Sequence, residues 1–310
     1  MPLLRAPLLM LARNDRARQA LTSVPATAAL VARYVPGPWL EDALDAAAAL
    51  QAEGLTVSLD HLGEDVTSTE DAEATVEAYR ALLTGLVERG LAPGAEVSLK
   101  LSALGQGLPG GQRASLERAR TICRAARNAG TAVTLDMEDH TTTDATLATL
   151  RELRKDFPET GVAVQAQLHR TEGDVRLLTG EGSRVRLCKG AYAAPASVAF
   201  TDPLDVARSY VRCLKVLMGG SGYPMVATHD PRLVGVALAV AARHGRAPGS
   251  YELQMLYGIR EVEQRRLAAA GETVRVYLPY GSRWWGYLVR RLAERPASLR
   301  LFLTSLVRRG

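Results

Sequence analysis

The chain predicts an α/β fold, a closed barrel of eight parallel strands alternating with helices. Three observations lead there. Eight short apolar runs of strand length alternate with helical patterns, the rhythm of βα units. A chain of 310 residues is long for one sandwich but ordinary for a barrel, and its 47% hydrophobic share is enough for one sizeable core. Polar or charged residues also close nearly every strand candidate, and in a barrel those ends converge on the face where active sites are built.

Residues 1–50 read as an N-terminal helical arm. The strand candidates follow in order: TVSLD from Thr56, EVSLKLSA from Glu96, AVTLDME from Ala132, VAVQAQ from Val162, RVRLCKG from Arg184, PMVATHD from Pro224, YELQML from Tyr251 and VRVYLPY from Val274. Helical patterns such as AEATVEAYRALLTGLVERG and QRASLERARTICRAARNAG separate them, each ending on the glycine that commonly stops a helix. The strand ends carry Asp60, Lys100, Asp136 with Glu138, Gln165, Arg186 with Lys189, Thr228 with His229, Glu252 with Gln254, and Tyr277.

After the last strand, WWGYLVRRLAERP (Trp284–Pro296) reads as a helix. At about 100° per residue, Tyr287, Arg290, Arg291 and Glu294 share one side and Leu288 and Leu292 another. Paired guanidinium groups are the chemistry of bidentate carboxylate or phosphate recognition. The barrel unit is expected over residues 51–297, with 298–310 as an amphipathic basic tail. From Arg290 to Arg309 there are six arginines against one glutamate, interleaved with apolar residues, which suits docking on the protein itself or on an anionic membrane surface.

The formal charge of +5 is spread in mixed signs without a long basic run, which weighs against a nucleic-acid partner. Cys123, Cys188 and Cys213 are too few and too scattered for a disulfide framework or a zinc site, so reduced thiols in a cytoplasmic protein are expected. No signal peptide is read at the start, and the longest apolar run, LVGVALAVAA, is about half what a bilayer crossing needs. No Rossmann or Walker fingerprint is present.

Lys100, one of four lysines, could form a Schiff base, bind an anion or snorkel outward. Asp136 could be a general base, a metal ligand or an ion-pair partner. His229 is read as a hydrogen-bonding group, and no metal is expected because the five histidines are dispersed. Arg186, Lys189 and the small Gly190–Ala191 pair suit the approach of a phosphate or cofactor.

In family order, SLDHLGE, SLKLSA, LDMED, VQAQ, RLCKGAY, ATHD, ELQMLYG and YLPYG, followed by YLVRRLAERP, resemble the proline dehydrogenase family in its bacterial monofunctional form, over about residues 55–296. The resemblance implies a distorted (βα)8 TIM-type barrel, with a final helix over its carboxyl-end face and FAD across the strand ends. It implies L-proline oxidised at C5 to Δ1-pyrroline-5-carboxylate, with electrons leaving to a quinone-type acceptor. Peripheral contact with the inner face of the plasma membrane and a downstream pyrroline-5-carboxylate dehydrogenase belong to the same expectation.

By the same resemblance Arg290 and Arg291 ion-pair with the proline carboxylate, and Lys100 is the third cation. Tyr277 and Tyr287 pack against the substrate ring, Glu294 is a further active-site position, and Glu64 pairs with Arg290 to gate the site. Arg186 stands near flavin N5, Gln165 contacts the flavin ring, and Met137, Cys188, Lys189, Gly190, Ala191, Thr228 and His229 lie along the FAD. Asp136 organises the cations. The sequence departs from the family at Cys188, Gln167, the AYAAP stretch and Asp230, which bears on the flavin edge more than on the substrate clamp. Two alternatives stand beside this reading: a Schiff-base aldolase or isomerase using Lys100, and a non-enzymatic sensing barrel.

Overall fold

A computed structural model describes residues 32–64 and 66–288. The expected eight strands are present, all paired in parallel: β1 (Thr56–His61), β2 (Ala95–Leu99), β3 (Ala132–Leu135), β4 (Gly161–Gln165), β5 (Arg184–Cys188), β6 (Tyr223–Ala227), β7 (Glu252–Leu256) and β8 (Val274–Tyr280). The barrel closes where β8 returns to β1, in register from Thr56–Arg275 to His61–Tyr280. Helix α1 (Leu40–Ala52) precedes β1. Between strands lie α2 (Thr69–Glu88), α3 (Gly111–Asn128), α4 (Thr143–Arg154), α5 (Thr171–Arg176), α6 (Pro203–Gly219), α7 (Pro231–Arg243) and α8 (Glu261–Ala269). A further helix begins at Trp284. The first 31 residues of the arm, Arg290, Arg291, Glu294 and the 298–310 tail lie outside the described residues.

Strand side chains alternate between faces, and this sequence sorts them sharply. Val57, Leu59, Val97, Leu99, Val133, Leu135, Val162, Val164, Val185 and Leu187 face outward and are buried beneath the helices. On α2, Val76, Tyr79, Leu83 and Leu86 form the matching stripe at helical spacing. Each such aliphatic side chain contributes about 1.5–3 kcal/mol when fully buried. Where α1 crosses α2, Gly85 makes room: a Cβ there would stand 2.6 Å from Leu44 Cδ1.

Local signals set the helix ends. Ser68 caps α2 by accepting from Asp71 N at 3.1 Å, and α6 and α7 each begin with proline behind an aspartate cap, Asp202 and Asp230. Gly90 and Gly130, at φ 69° and 75°, follow α2 and α3 in the left-handed conformation the sequence pattern requires. One guanidinium gathers carbonyls from the end of α6 and from the loops beside it. Arg246 donates to the carbonyls of Leu217, Met218, Gly220, Gly222 and Ser250 at 2.6–3.3 Å.

The barrel interior is ionic where such barrels usually pack branched aliphatics. Glu96, 1% exposed, accepts from Arg186 Nη2 at 2.6 Å and Arg184 Nη2 at 2.9 Å. Glu252, fully buried, accepts from Arg275 Nε at 2.8 Å and Nη2 at 3.1 Å. A lone buried charge costs several kcal/mol, so these groups are tolerated as matched sets. Glu252 therefore corrects one expectation: it opens β7 rather than closing it, and stands in the floor of the barrel instead of at the mouth.

Candidate active site

A cavity of about 750 Å³ opens at the carboxyl ends of the strands, in the size range of small-molecule sites. It brings together most of the residues singled out from the sequence. Glu64, Lys100, Asp136, Met137, Gln165, Arg186, Cys188, Lys189, Gly190, Ala191, Thr228, His229, Tyr277 and Tyr287 all line it.

At its base, inward positions of β1 and β8 and the residues just after β2 and β3 meet in a largely buried quartet. Lys100 Nζ donates to Asp60 Oδ2 at 2.6 Å, Asp136 Oδ2 at 3.2 Å and the Tyr277 hydroxyl at 3.1 Å. Glu64 stands 3.9 Å from the same ammonium. Burial works against the Lys100 charge, but Asp60, Tyr277, Asp136 and Glu64 outweigh it and hold the ammonium well above its ordinary value. A Schiff-base nucleophile needs the opposite, a neutral amine. Lys100 is held as a charged ammonium, which is the wrong state for that chemistry.

Below this quartet Arg186 spends its five donor hydrogens on the protein. Nε donates to Gln254, Nη1 to Ser98 and Asp136, and Nη2 to Ser58 and Glu96, at 2.5–2.9 Å. The side chain rises from the middle of β5, so its position is locked and its charge faces the cavity. Asp136 joins the two cations: Lys100 lies on one oxygen, Arg186 and Ser98 on the other. Although burial pushes the Asp136 carboxyl up, those cations and hydrogen bonds bring it below its ordinary value, as befits an organiser of charge.

The opposite wall has the character of a cofactor cradle. Gly190, at φ 113°, has no room for a side chain, since a Cβ would meet Gln167 at 2.4 Å. Gln165 is pinned through Nε2 to the carbonyl of Glu138 at 2.8 Å, while its Oε1 is buried and has no hydrogen-bond partner among the described residues. That acceptor suits an imide N–H of the kind a flavin ring carries. Lys189 pairs with Asp230 at 3.0 Å and lies half-exposed on the rim, placed for a phosphate. His229 accepts from Leu256 N at Nε2, 2.9 Å, which leaves Nδ1 as the protonated nitrogen. The residues present fit FAD.

Glu138 fixes the rim between β2 and β3, accepting from Ser102 N at 3.1 Å and Oγ at 2.5 Å. Burial pushes its carboxyl up to about 6. Among the described residues no group of three or more His, Cys, Asp or Glu could hold a metal. From the sequence Asp60 reads as a strand-end residue without an assigned role, and Ser58, Glu96 and Ser98 carry no expectation. Their signal was present: Glu96, Ser98 and Lys100 recur at every second position and so share the inward face.

A locked guanidinium, a charged ammonium and a cofactor-sized cavity at the carboxyl-end face are the features of a (βα)8-barrel enzyme. Comparison narrows the class. The model of the proline dehydrogenase family matches residues 43–300, and the chain belongs to that family. A proline dehydrogenase of Deinococcus radiodurans is 39% identical over 270 residues, 86% of this chain and 86% of that protein. Proline dehydrogenase 1 of Bacillus subtilis (strain 168) is 34% identical over 277 residues, covering 89% of this chain and 90% of its own length. The fold resembles the crystal structure of proline utilization A from Bdellovibrio bacteriovorus inactivated by N-propargylglycine, with TM-score 0.79 and 24% identity, over 86% of this chain and 32% of that one.

Proposed function

We propose that the protein is an FAD-dependent L-proline dehydrogenase, oxidising proline to Δ1-pyrroline-5-carboxylate in the first step from proline to glutamate. The observation that carries the reading is the charged, buried Lys100 beside Tyr277 at the mouth of a barrel matched by the family model. Bound FAD would supply the hydride acceptor for the hydrogen on C5. Gln165, Lys189, Gly190, Ala191, Thr228, His229, Met137 and Cys188 would hold it.

The chain's own residues do the positioning. Lys100 takes the carboxylate, joined in this reading by Arg290 and Arg291. Tyr277 and Tyr287 pack against the ring, with Glu294 beside them and Glu64 as the gate. Anchoring one end of a small rigid ring fixes where the other end lies, and orientation of that kind supplies several kcal/mol of barrier reduction. The Arg186 charge, held in place by five hydrogen bonds, favours negative charge building at the reduced cofactor. A yellow preparation bleached by anaerobic L-proline tests the assignment, and borohydride trapping of a carbonyl substrate on Lys100 would support the aldolase instead.

Electrons would leave to a quinone-type acceptor, which puts the enzyme in peripheral contact with the cytoplasmic face of the membrane through residues 298–310. No helix among the described residues is long and apolar enough to cross a membrane. The product would pass to a pyrroline-5-carboxylate dehydrogenase. Liposome flotation of the full chain against one ending at Pro296 tests the contact, and equal partitioning would discard it.

A further inference from the structure

Asp60 is 1% exposed, and its environment contains a shortage of hydrogen. Its Oδ2 lies 2.6 Å from both Lys100 Nζ and the Tyr277 hydroxyl, while Oδ1 is buried with no partner among the described residues. The same hydroxyl lies 2.7 Å from Asp136 Oδ2. A phenol carries one hydrogen to donate. With both aspartates ionised, one of these two short oxygen–oxygen contacts has none. A single added proton completes the set.

Asp136 is a poor place for that proton, because Arg186, Ser98 and Lys100 all donate to it. Asp60 has only Lys100 and Tyr277. The groups facing it from every side are Lys100 after β2, Asp136 after β3, Tyr277 and Tyr280 of β8, Tyr79 of α2, and Glu64 beyond the ammonium. Burial raises its hold on a proton, Lys100 opposes this and Asp136 adds to it, with the net direction upward. A carboxylate that enters on Lys100 draws on the one cation opposing that proton and sets a further negative charge beside Asp60, so its arrival favours protonation there.

Resting on the proline reading above, we propose that Asp60, through the hydroxyl of Tyr277, takes the proton that the substrate's ring nitrogen sheds before C5 can yield hydride. Proline in water is a zwitterion whose ammonium nitrogen is two bonds from the carboxylate carbon, so a carboxylate on Lys100 brings that nitrogen to the quartet. One N–H bond breaks and leaves its electron pair on nitrogen. The phenol takes that hydrogen and passes its own to Asp60 Oδ2, where an O–H bond forms. Nothing is oxidised or reduced in this step. The negative charge brought by the substrate carboxylate replaces the one discharged on Asp60.

The test is calorimetric titration of the FAD-loaded protein near neutral pH with tetrahydrofuran-2-carboxylate, in buffers of differing ionisation enthalpy. This probe has the ring and carboxylate of proline but no ammonium proton to give. Wild type should draw about one proton from the buffer per molecule bound, and Asp60→Asn should draw none. Asp60→Glu, which keeps a carboxyl group, should retain the uptake at a displaced pH midpoint and serves if the asparagine variant does not fold. Binding without uptake in wild type overturns the assignment to Asp60 and leaves the proline reading standing. Uptake undiminished in Asp60→Asn overturns it as well. A probe that does not bind at all sinks both.

Discussion

Replacing Glu96 with glutamine removes one negative charge from the floor of the barrel and keeps the shape of the side chain. In the structure that carboxylate lies 2.6 Å from Arg186 and 2.9 Å from Arg184, with Arg275 at 4.0 Å. Burial alone would raise its carboxyl. The Arg275, Arg186 and Arg184 charges outweigh burial and hold it at about 2, against an ordinary 4.5. A gap of about 2.5 pH units at about 1.4 kcal/mol each favours the ionised form by about 3 kcal/mol. Because the folded value is depressed, this contribution is complete above about 4.5 and fades as pH falls toward about 2. Urea unfolding at pH 7 should therefore find Glu96→Gln about 3 kcal/mol less stable than wild type, with the gap narrowing once the pH drops below about 4.5. A variant within about 0.5 kcal/mol of wild type at pH 7, or a gap that does not change with pH, would refute the ion-pair account.

Arg246→Ala leaves five carbonyls, two at the end of α6 and three in the loops beside it, without their shared donor, and should cost about 3 kcal/mol by thermal unfolding, with Arg246→Lys recovering only part. Gly190→Ala drives a methyl group into Gln167 and should lower the flavin content of the purified protein, and adding Gln167→Ala should restore some of it. In the proposed clamp Arg291→Met should raise the proline requirement sharply while bound FAD remains, and an unchanged apparent affinity would remove that arginine from the site.

The fold was legible because two periodicities were clean. Val57 and Leu59, or Val97 and Leu99, alternate with polar residues at period two, while Val76, Tyr79, Leu83 and Leu86 repeat at helical spacing. The strand-end residues around Lys100 were legible for the same reason, since the topology sends all eight ends to one mouth. Depth within a strand was not. Glu252 and Gln254 look alike as polar residues in a strand, and only the closed register shows that the first belongs to the floor and the second to the layer gripping Arg186. Nor could any local pattern show that Asp60 and Asp136, far apart in the chain, would compete for one phenolic hydrogen. That fact belongs to the closure of β1 onto β8.

The charged floor also bears on how the chain assembles. A strand displaced by one residue turns its inward set outward, and here the error would strand arginine or glutamate among leucines instead of exchanging one aliphatic for another. Misaligned pairings are thus far costlier than in a barrel with an aliphatic interior, so proofreading of strand alignment and construction of the reactive mouth become one event.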